Sequence, residues 1–317
     1  MKAHIYDGVY RGTNFTCAAF ENAKEFLNIF YEKQGICQML WQQGAVYYSA
    51  KIQDIKAKSV ADFSATNIEQ SFFEVGSIIK HVWRPGLCLD IEKALGIDKG
   101  EQQRAIKNLR ILAERLNDIL MYIEPETYAL NCYSHKTREL LILACTEVES
   151  FWQFYLREAN AVRARPTTND YVKLHNALFL DDYTISLNSH PFVISYKPFE
   201  GWSPNSPTKS LDWYSAYNEA KHDMYTNFSK ATLEHCIKAV MAVISLFCVR
   251  YSPYSIVEER GISAKTVAEL FTIEVKATAK NTIYIPALQS YEMASGIFSA
   301  PLASGFETFW KSVPLQL

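Results

Sequence analysis

Residues 213–223, which read WYSAYNEAKHD, carry the polar side chains best suited to chemistry in this chain. If they form a helix, Asn218, Lys221 and His222 lie on one face, because residues three and four apart are neighbours. The aromatic residues of the stretch then lie on another side and can pack inward. An amide, an ammonium and an imidazole beside an aromatic core are expected of a site that handles phosphate or transfers protons. An ordinary capped and packed helix can have the same pattern.

Several helices must position this stretch, because apolar residues recur with a helical period along much of the chain. The pattern predicts helices over residues 19–33, 90–95, 99–123, 134–159, 171–179, from about 211, and over 229–250. Residues 44–60 and 67–83 mix aromatic, β-branched and helix-favouring residues, and we interpret them as further helices. Ser134 is the expected N-cap of the helix over 134–159.

Strand signals are confined to two places in this interpretation. The β-type runs 183–187 and 192–196 flank a turn sequence and predict a hairpin. From residue 252 the helical period fades and β-type runs appear. We therefore predict a mainly α chain in three parts: an N-terminal helical extension over residues 1–125, a helical core with the inserted β-hairpin over 126–251, and a partly β C-terminal appendage over 252–317.

Length and composition limit the classes of protein that fit. The chain has 317 residues, and a hydrophobic fraction of 49% is ample for a substantial core. A formal net charge of −2 argues against a surface that is basic all over, so any nucleic acid would have to meet a local basic patch. The seven cysteines are odd in number and scattered, as expected of free thiols in a reducing compartment.

Targeting and cofactor patterns are missing from the sequence. Its N-terminus has no apolar run of signal-peptide length, and its strongest apolar run, residues 239–249, is about half as long as a membrane span, so we expect a cytoplasmic protein without membrane contact. No cysteine or histidine spacing suits zinc, and neither the dinucleotide nor the P-loop glycine pattern occurs. We therefore expect neither a cofactor nor a metal.

Three motifs resemble those of a known family: RELLILACTEVE at 138–149, PFEGW at 198–202 and WYSAYNEAKHD at 213–223. An uncharacterised bacterial family has these motifs in this order, and it is similar to HEPN domains, the helical modules of many toxin and phage-defence ribonucleases. The resemblance spans about residues 108–250 and implies a HEPN-like helical bundle for the core. HEPN ribonucleases use an R-x4–6-H motif, whereas here no arginine precedes His222 on its helix. Met224 stands where the family has a second arginine.

The resemblance implies roles for four candidate catalytic residues. His222 would be the general acid or base when a ribose 2′-hydroxyl attacks the adjacent phosphate, since imidazoles titrate close to neutral pH. Lys221 would stabilise the developing negative charge, and Asn218 would orient a hydrogen bond. Glu147 would hold the lysine or the histidine across an antiparallel helix pair. The alternative is a helix–helix ion pair between Lys221 and a glutamate, with His222 as an ordinary helix residue.

The candidate substrate-binding residues are Arg138, Glu149, Trp202 and Tyr214. Glu147 and Glu149 are two residues apart on a helix, so they point in nearly opposite directions and cannot form a carboxylate pair. Trp202 lies in a proline-rich loop and could stack on a base, or it could fill the core. Arg138 could contact the substrate, or it could be a first-turn surface residue.

Two classes of function follow from these expectations. The first is a metal-independent endoribonuclease that binds RNA and acts in phage defence or as part of a toxin–antitoxin pair. The second is a binding or assembly protein whose HEPN-like body does not catalyse. HEPN-like modules usually pair through their motif helices, so we also expect a homodimer. The C-terminal tail is the candidate contact for a protein partner.

Overall fold

The computed structural model describes residues 1–21, 26–31, 43–48, 53–161, 163–189, 191–222, 224–257, 261–290 and 297–317. Helices account for 46% of the described residues and strands for 26%. The fold is therefore mixed α/β, and the prediction of a mainly α, HEPN-like bundle for this chain is wrong. The all-α class fails because the described residues of 1–96 form six strands and only two short helices.

The chain divides into two compact units. The first, which we call the sheet unit, comprises Met1–Gly96 and Val275–Val313. The second, the helical unit, comprises Ile97–Glu274 and Pro314–Leu317. The chain enters the helical unit after residue 96, returns to the sheet unit at residue 275 and enters the helical unit again at residue 314, so the sequence-based division at residues 125/126 and 251/252 matches none of the three crossings.

The elements of the N-terminal stretch are β1 (Lys2–Tyr10), β2 (Thr13–Glu21), β3 (Phe26–Tyr31), β4 (Gln43–Tyr48), α1 (Ile55–Phe63), β5 (Thr66–Glu74), β6 (Ser77–Ile79) and α2 (Ile91–Leu95). The central elements are α3 (Lys99–Leu120), α4 (His135–Glu158), α5 (Thr168–Tyr171), α6 (Leu174–Ala177), β7 (Tyr183–Ser189), β8 (Phe192–Tyr196), α7 (Asp212–His222), α8 (Met224–Asn227), α9 (Leu233–Tyr251), α10 (Tyr254–Val257), α11 (Ile262–Leu270) and β9 (Phe271–Val275). The C-terminal elements are β10 (Ala287–Ser290), β11 (Ile297–Pro301), α12 (Leu302–Gly305), β12 (Phe306–Phe309) and β13 (Lys311–Val313).

A six-stranded sheet in the order β11-β4-β3-β2-β1-β5 forms the body of the sheet unit. Each neighbouring pair in it is antiparallel. The helix predicted over residues 19–33 is wrong: residues 19–21 end β2, residues 26–31 form β3, and Phe20 pairs with Leu27. Residues 22–25 and 32–33 lie outside the described part. In β2, residues 16–20 are all buried, so both faces of the strand are covered and the alternation that marks a half-exposed strand is absent.

The helix predicted over 44–60 is confirmed only for residues 55–60, which belong to α1, because residues 44–48 belong to β4 and residues 49–52 lie outside the described part. The helix predicted over 67–83 is wrong, because residues 67–74 belong to β5 and residues 77–79 form β6. Asp54 caps α1, its side chain accepting hydrogen bonds from the backbone N–H groups of Lys56 and Ala57. Strand propensity and pairing between strands therefore outweigh the helix-favouring residues over 44–48 and 67–74, whereas residues 55–60 are helical.

The C-terminal residues are integrated into both units and do not form an appendage. Strand β11 pairs with β4 in the large sheet, and β13 pairs in parallel with β6. In the helical unit, β9 extends the predicted hairpin into a three-stranded sheet, β8-β7-β9, and α11 packs on α3.

The helical unit is built around α4 and α9, which pack against each other. Helix α9 is buried along nearly its whole length, as its apolar sequence predicts. The prediction of Ser134 as an N-cap is confirmed: Ser134 and Thr137 form a reciprocal capping box at the start of α4. Helix α7 packs against both α9 and α4, and this contact positions the candidate residues.

Candidate functional site

An aromatic cluster fixes α7 in the helical unit. Trp213 is buried and donates a hydrogen bond from Nε1 to the Pro198 carbonyl at 2.8 Å. Trp152 of α4 stacks on Trp202, with ring centroids 4.9 Å apart. Trp202 in turn donates from Nε1 to the Pro207 carbonyl at 2.8 Å. The loop that contains the PFEGW motif is therefore held against both helices by its own aromatic rings.

Trp202 faces the interior of the protein. Its ring and that of Phe199 are both buried. In this conformation neither ring is open to a nucleotide base. Of the two roles that the sequence allows for Trp202, the structure therefore has the one in which the ring fills the core.

Lys221 and His222 lie exposed in the last turn of α7. The ammonium of Lys221 donates a hydrogen bond to the Tyr217 hydroxyl at 2.8 Å, and its nitrogen lies 5.0 Å from the centroid of that ring. The hydrogen bond that Lys221 donates to Tyr217 raises the pKa of Lys221, so this side chain remains a cation rather than becoming a base. Asp223, the last residue of the motif, lies outside the described residues.

Asn218 is engaged by its own helix. Its Nδ2 donates to the Tyr214 carbonyl at 2.9 Å, one turn back. A donor of the side-chain amide is thus used locally. Asn218 is half-buried, while Lys221 and His222 are exposed.

Glu149 contacts α7 through Tyr214. The Tyr214 hydroxyl donates to Oε1 of Glu149 at 2.8 Å. Burial, together with the negative charge of Glu149, raises the pKa of Tyr214 far above its usual range. This tyrosine therefore stays protonated and serves as a hydrogen-bond donor between α7 and α4. It is buried and does not face solvent.

Glu147 contacts a different helix. Its two carboxylate oxygens lie 3.5 and 3.4 Å from Nδ2 of Asn108 on α3. Burial raises the pKa of Glu147, and the hydrogen bond from Asn108 offsets only part of that effect. The two glutamates point away from each other, as their spacing predicts, and the α3-facing position of Glu147 separates it from the polar end of α7.

Arg138 lies on α4, and its side chain contacts the C-terminal end of α7. Its Nε donates to the Ala220 carbonyl at 3.2 Å, one residue before Lys221 and two before His222. The carbonyl end of a helix carries partial negative charge, which favours cations there. An arginine of α4 thus lies at the end of α7, a helix whose own sequence contains none.

Further basic and aromatic side chains surround this end of α7. The turn Phe228–Lys230 packs against α7, and the Phe228 ring lies 4.7 Å from the ring of His135 on α4. We call the following residues the α7 basic patch: His135, Arg138, Lys221, His222 and Lys230. Within the described chain no three histidine, cysteine or acidic side chains cluster as a metal site would require.

The opposite end of α7 adjoins a polar cavity that the sequence patterns did not indicate. It has a volume of about 560 Å³ and is lined by residues of β7, β8, α7, α9 and the proline-rich loop. Lys238 of α9 lies in its wall, with Nζ 2.5 Å from Oδ2 of Asp212 and 3.0 Å from Oε1 of Glu234. The i,i+4 spacing of Glu234 and Lys238 was the available sequence signal, but Asp212 joins them only through the packing of α7 on α9.

No family model matches the chain, and no curated protein or solved structure is similar enough to it to indicate a family. None of the helices among the described residues combines the length and the apolar composition needed to cross a bilayer.

Proposed function

We propose that the helical unit binds single-stranded RNA at the α7 basic patch. The observation that supports this most is the position of Arg138, whose Nε lies on the last turn of α7 beside Lys221 and His222. The exposed Lys221 ammonium, the exposed His222 imidazole and the half-buried Arg138 guanidinium lie at the same end of α7, and such a group of basic side chains matches the phosphate backbone of a nucleic acid. The chain as a whole carries a net charge of −2, so a local patch of this kind is where a polyanion would bind.

Aromatic side chains near the patch suit an RNA ligand. Tyr133 is about half exposed, and its ring lies 5.7 Å from that of Phe228, which contacts His135. Tyr225 follows α7 in sequence and is almost fully exposed. Unpaired bases stack on such rings with about 1–3 kcal/mol per base. A single strand, whose bases are accessible, therefore fits this surface better than a duplex.

Charge reversal tests RNA binding directly. We expect Lys221→Glu to weaken the binding of a fluorescently labelled single-stranded RNA, measured by anisotropy, by about tenfold, which is about 1.4 kcal/mol. Lys107→Glu is the matched control, since Lys107 is an exposed lysine of α3 outside the patch. Wild-type binding should weaken as salt increases, because phosphate contacts release counterions. Equal affinities for Lys221→Glu and Lys107→Glu would refute the proposal.

RNA cleavage without a metal is the second candidate function. It is favoured by the exposure of His222 next to Arg138 and Lys221. In the proposed step, His222 accepts the proton of a ribose 2′-hydroxyl, whose oxygen attacks the adjacent phosphorus. The bond from phosphorus to the 5′-oxygen breaks, that oxygen takes a proton from a general acid, and a 2′,3′-cyclic phosphate remains. Arg138 and Lys221 would stabilise the extra negative charge in the transition state.

The two functions are separable by experiment. For an enzyme, we expect RNA incubated with the protein in excess chelator to yield cyclic-phosphate ends, and His222→Ala to abolish the cleavage while largely keeping the affinity. RNA that is bound and left intact would favour the binding protein. Asn218 and Glu147, which are engaged by Tyr214 and Asn108, favour that second outcome.

Assembly and location are further parts of the proposal. A homodimer through the motif helices would bring two α7 basic patches together, and light scattering during size-exclusion chromatography tests it.

A role in phage defence or toxicity is tested by growth and phage-challenge assays with His222→Ala. The six described cysteines are free thiols, which supports a cytoplasmic location. Cys37 lies outside the described residues.

A further inference from the structure

The cavity beside the start of α7 contains an ordered arrangement of charges. Lys238 is only 16% exposed at its side chain and is held by Asp212 and Glu234. Its nitrogen also lies 4.9 Å from the ring centroid of Tyr196, whose hydroxyl donates to Glu234 at 3.0 Å. Burial alone would lower the pKa of Lys238, but the hydrogen bonds and charges of Asp212 and Glu234 outweigh burial and raise it. The wall of the cavity therefore carries a fixed cation.

Two more lysines line the cavity and are available for a ligand. Lys197 and Lys209 are exposed, and neither forms an ion pair with the part of the chain that the structure describes. Glu200 lines the same space, and it too has no ion pair among the described residues. The cavity thus offers two unneutralised ammonium groups and one unneutralised carboxylate.

These groups define the chemistry of a ligand. Ammonium groups donate hydrogen bonds and attract phosphate or carboxylate, whereas a carboxylate such as Glu200 or Asp212 only accepts, so it needs a donor such as a hydroxyl. Thr184, Ser195 and Ser210 add hydroxyls to the lining. A volume of about 560 Å³ is in the usual range of metabolite sites and far too small for a folded partner. A ligand with a phosphate at one end and hydroxyls at the other meets all these conditions.

We propose that this cavity is a binding site for a small phosphorylated polyol, such as a sugar phosphate. Lys197 and Lys209 bind the phosphate, and Glu200 and Asp212 accept hydrogen bonds from the hydroxyls. The site is separate from the α7 basic patch, because the 11 residues of α7 place its two ends about 15 Å apart. The inference does not depend on RNA binding at the other end of the helix.

Calorimetric titration of the full chain tests this site, with ribose 5-phosphate, ribose and inorganic phosphate as separate probes. We expect ribose 5-phosphate to bind more tightly than either fragment. The variant Lys197→Glu/Lys209→Glu should lose about tenfold or more in affinity. Glu200→Gln should weaken ribose 5-phosphate but leave inorganic phosphate unchanged, because only the sugar reaches the carboxylate. Lys107→Glu serves again as the control, and circular dichroism confirms that each variant is folded.

Three results would overturn the proposal. The first is that ribose 5-phosphate does not bind to the wild-type chain. The second is that Lys107→Glu loses as much affinity for ribose 5-phosphate as Lys197→Glu/Lys209→Glu does. The third is that ribose binds as tightly as ribose 5-phosphate. A fourth concerns RNA: if Lys197→Glu/Lys209→Glu weakens RNA as strongly as Lys221→Glu does, the cavity lysines belong to the nucleic-acid surface. Loss of sugar-phosphate binding with RNA affinity intact would support two independent sites.

Discussion

Glu147 and Glu149 have opposite environments although a single residue separates them. Glu149 accepts a hydrogen bond from the Tyr214 hydroxyl at 2.8 Å. Glu147 accepts only long hydrogen bonds from Asn108 and is partly buried, which raises its pKa. Because burial disfavours its charged form, the ionised Glu147 carboxylate lowers the free energy of unfolding at neutral pH.

The pH dependence of that effect gives a prediction for Glu147→Gln. Folded Glu147 binds its proton up to a higher pH than unfolded Glu147, so the folded state binds more protons in the window between the two pKa values, and stability falls as pH rises through it. We expect Glu147→Gln to melt at a higher temperature than wild type at pH 7, because the glutamine carries no charge. The gain should disappear below the ordinary value of 4.5. Scanning calorimetry at both pH values, with exposed Glu126→Gln as the control, measures it. A gain that is the same at both pH values would contradict the explanation.

The candidate site residues show which side-chain positions could be predicted from the sequence and which could not. The 3.6-residue period correctly separates the buried face of α7 from Lys221 and His222. It says nothing about which neighbouring helix each polar group meets. Arg138 reaches Ala220 across 82 positions, and Glu147 faces Asn108, only because of how α3, α4 and α7 pack. Contacts of this kind depend on helix order, which local periodicity does not contain.

At the scale of elements, the sheets are what the sequence patterns missed. Phe20, Phe26, Leu27 and Phe30 have a spacing that suits one helix face, yet they lie on the paired strands β2 and β3. The central helices were predictable because long amphipathic patterns with caps have few alternative interpretations. Strands covered on both faces lack alternation. Strand β1 is joined to β2 by the tight turn at Arg11 and Gly12, so that pairing is local, but the partner of β4 comes from residues 297–301. No local window includes so distant a partner.

Two glycines allow a test of how tightly the sheet unit is built. Gly86 has a φ of +103°, and an added Cβ would lie 1.8 Å from the Tyr284 carbonyl oxygen. Gly201, in the helical unit, has a φ of +73° with nothing within 4 Å of such a Cβ. Both alanine variants incur the backbone cost of positive φ, about 1–2 kcal/mol. We expect Gly86→Ala to lower the free energy of unfolding by clearly more than Gly201→Ala, as measured by urea denaturation. Equal losses would mean that the backbone near Tyr284 can move aside.

At the scale of the molecule, the C-terminal residues complete both units. A chain that ends at residue 251 lacks α11 and β9 from the helical unit, and β11 and β13 from the sheet unit. We expect this truncation to lose the cooperative unfolding of both units and to become sensitive to protease throughout. The intact chain, digested in parallel, is the control. A protease-resistant fragment that begins near residue 97 in the truncated chain would show that the helical unit folds without these elements.

The pairing of β11 with β4 also has a consequence for synthesis on the ribosome. Strand β4 (Gln43–Tyr48) is made long before residues 297–301, which cover its outer edge. Until those residues leave the exit tunnel, the growing chain therefore presents an unprotected strand edge, to which another nascent chain can bind. Almost the whole helical unit emerges in the meantime and can fold first. Expression yield in cells should thus depend on how fast the segment between β4 and β11 is translated and on the supply of chaperones, even for variants whose finished fold is as stable as that of the wild type.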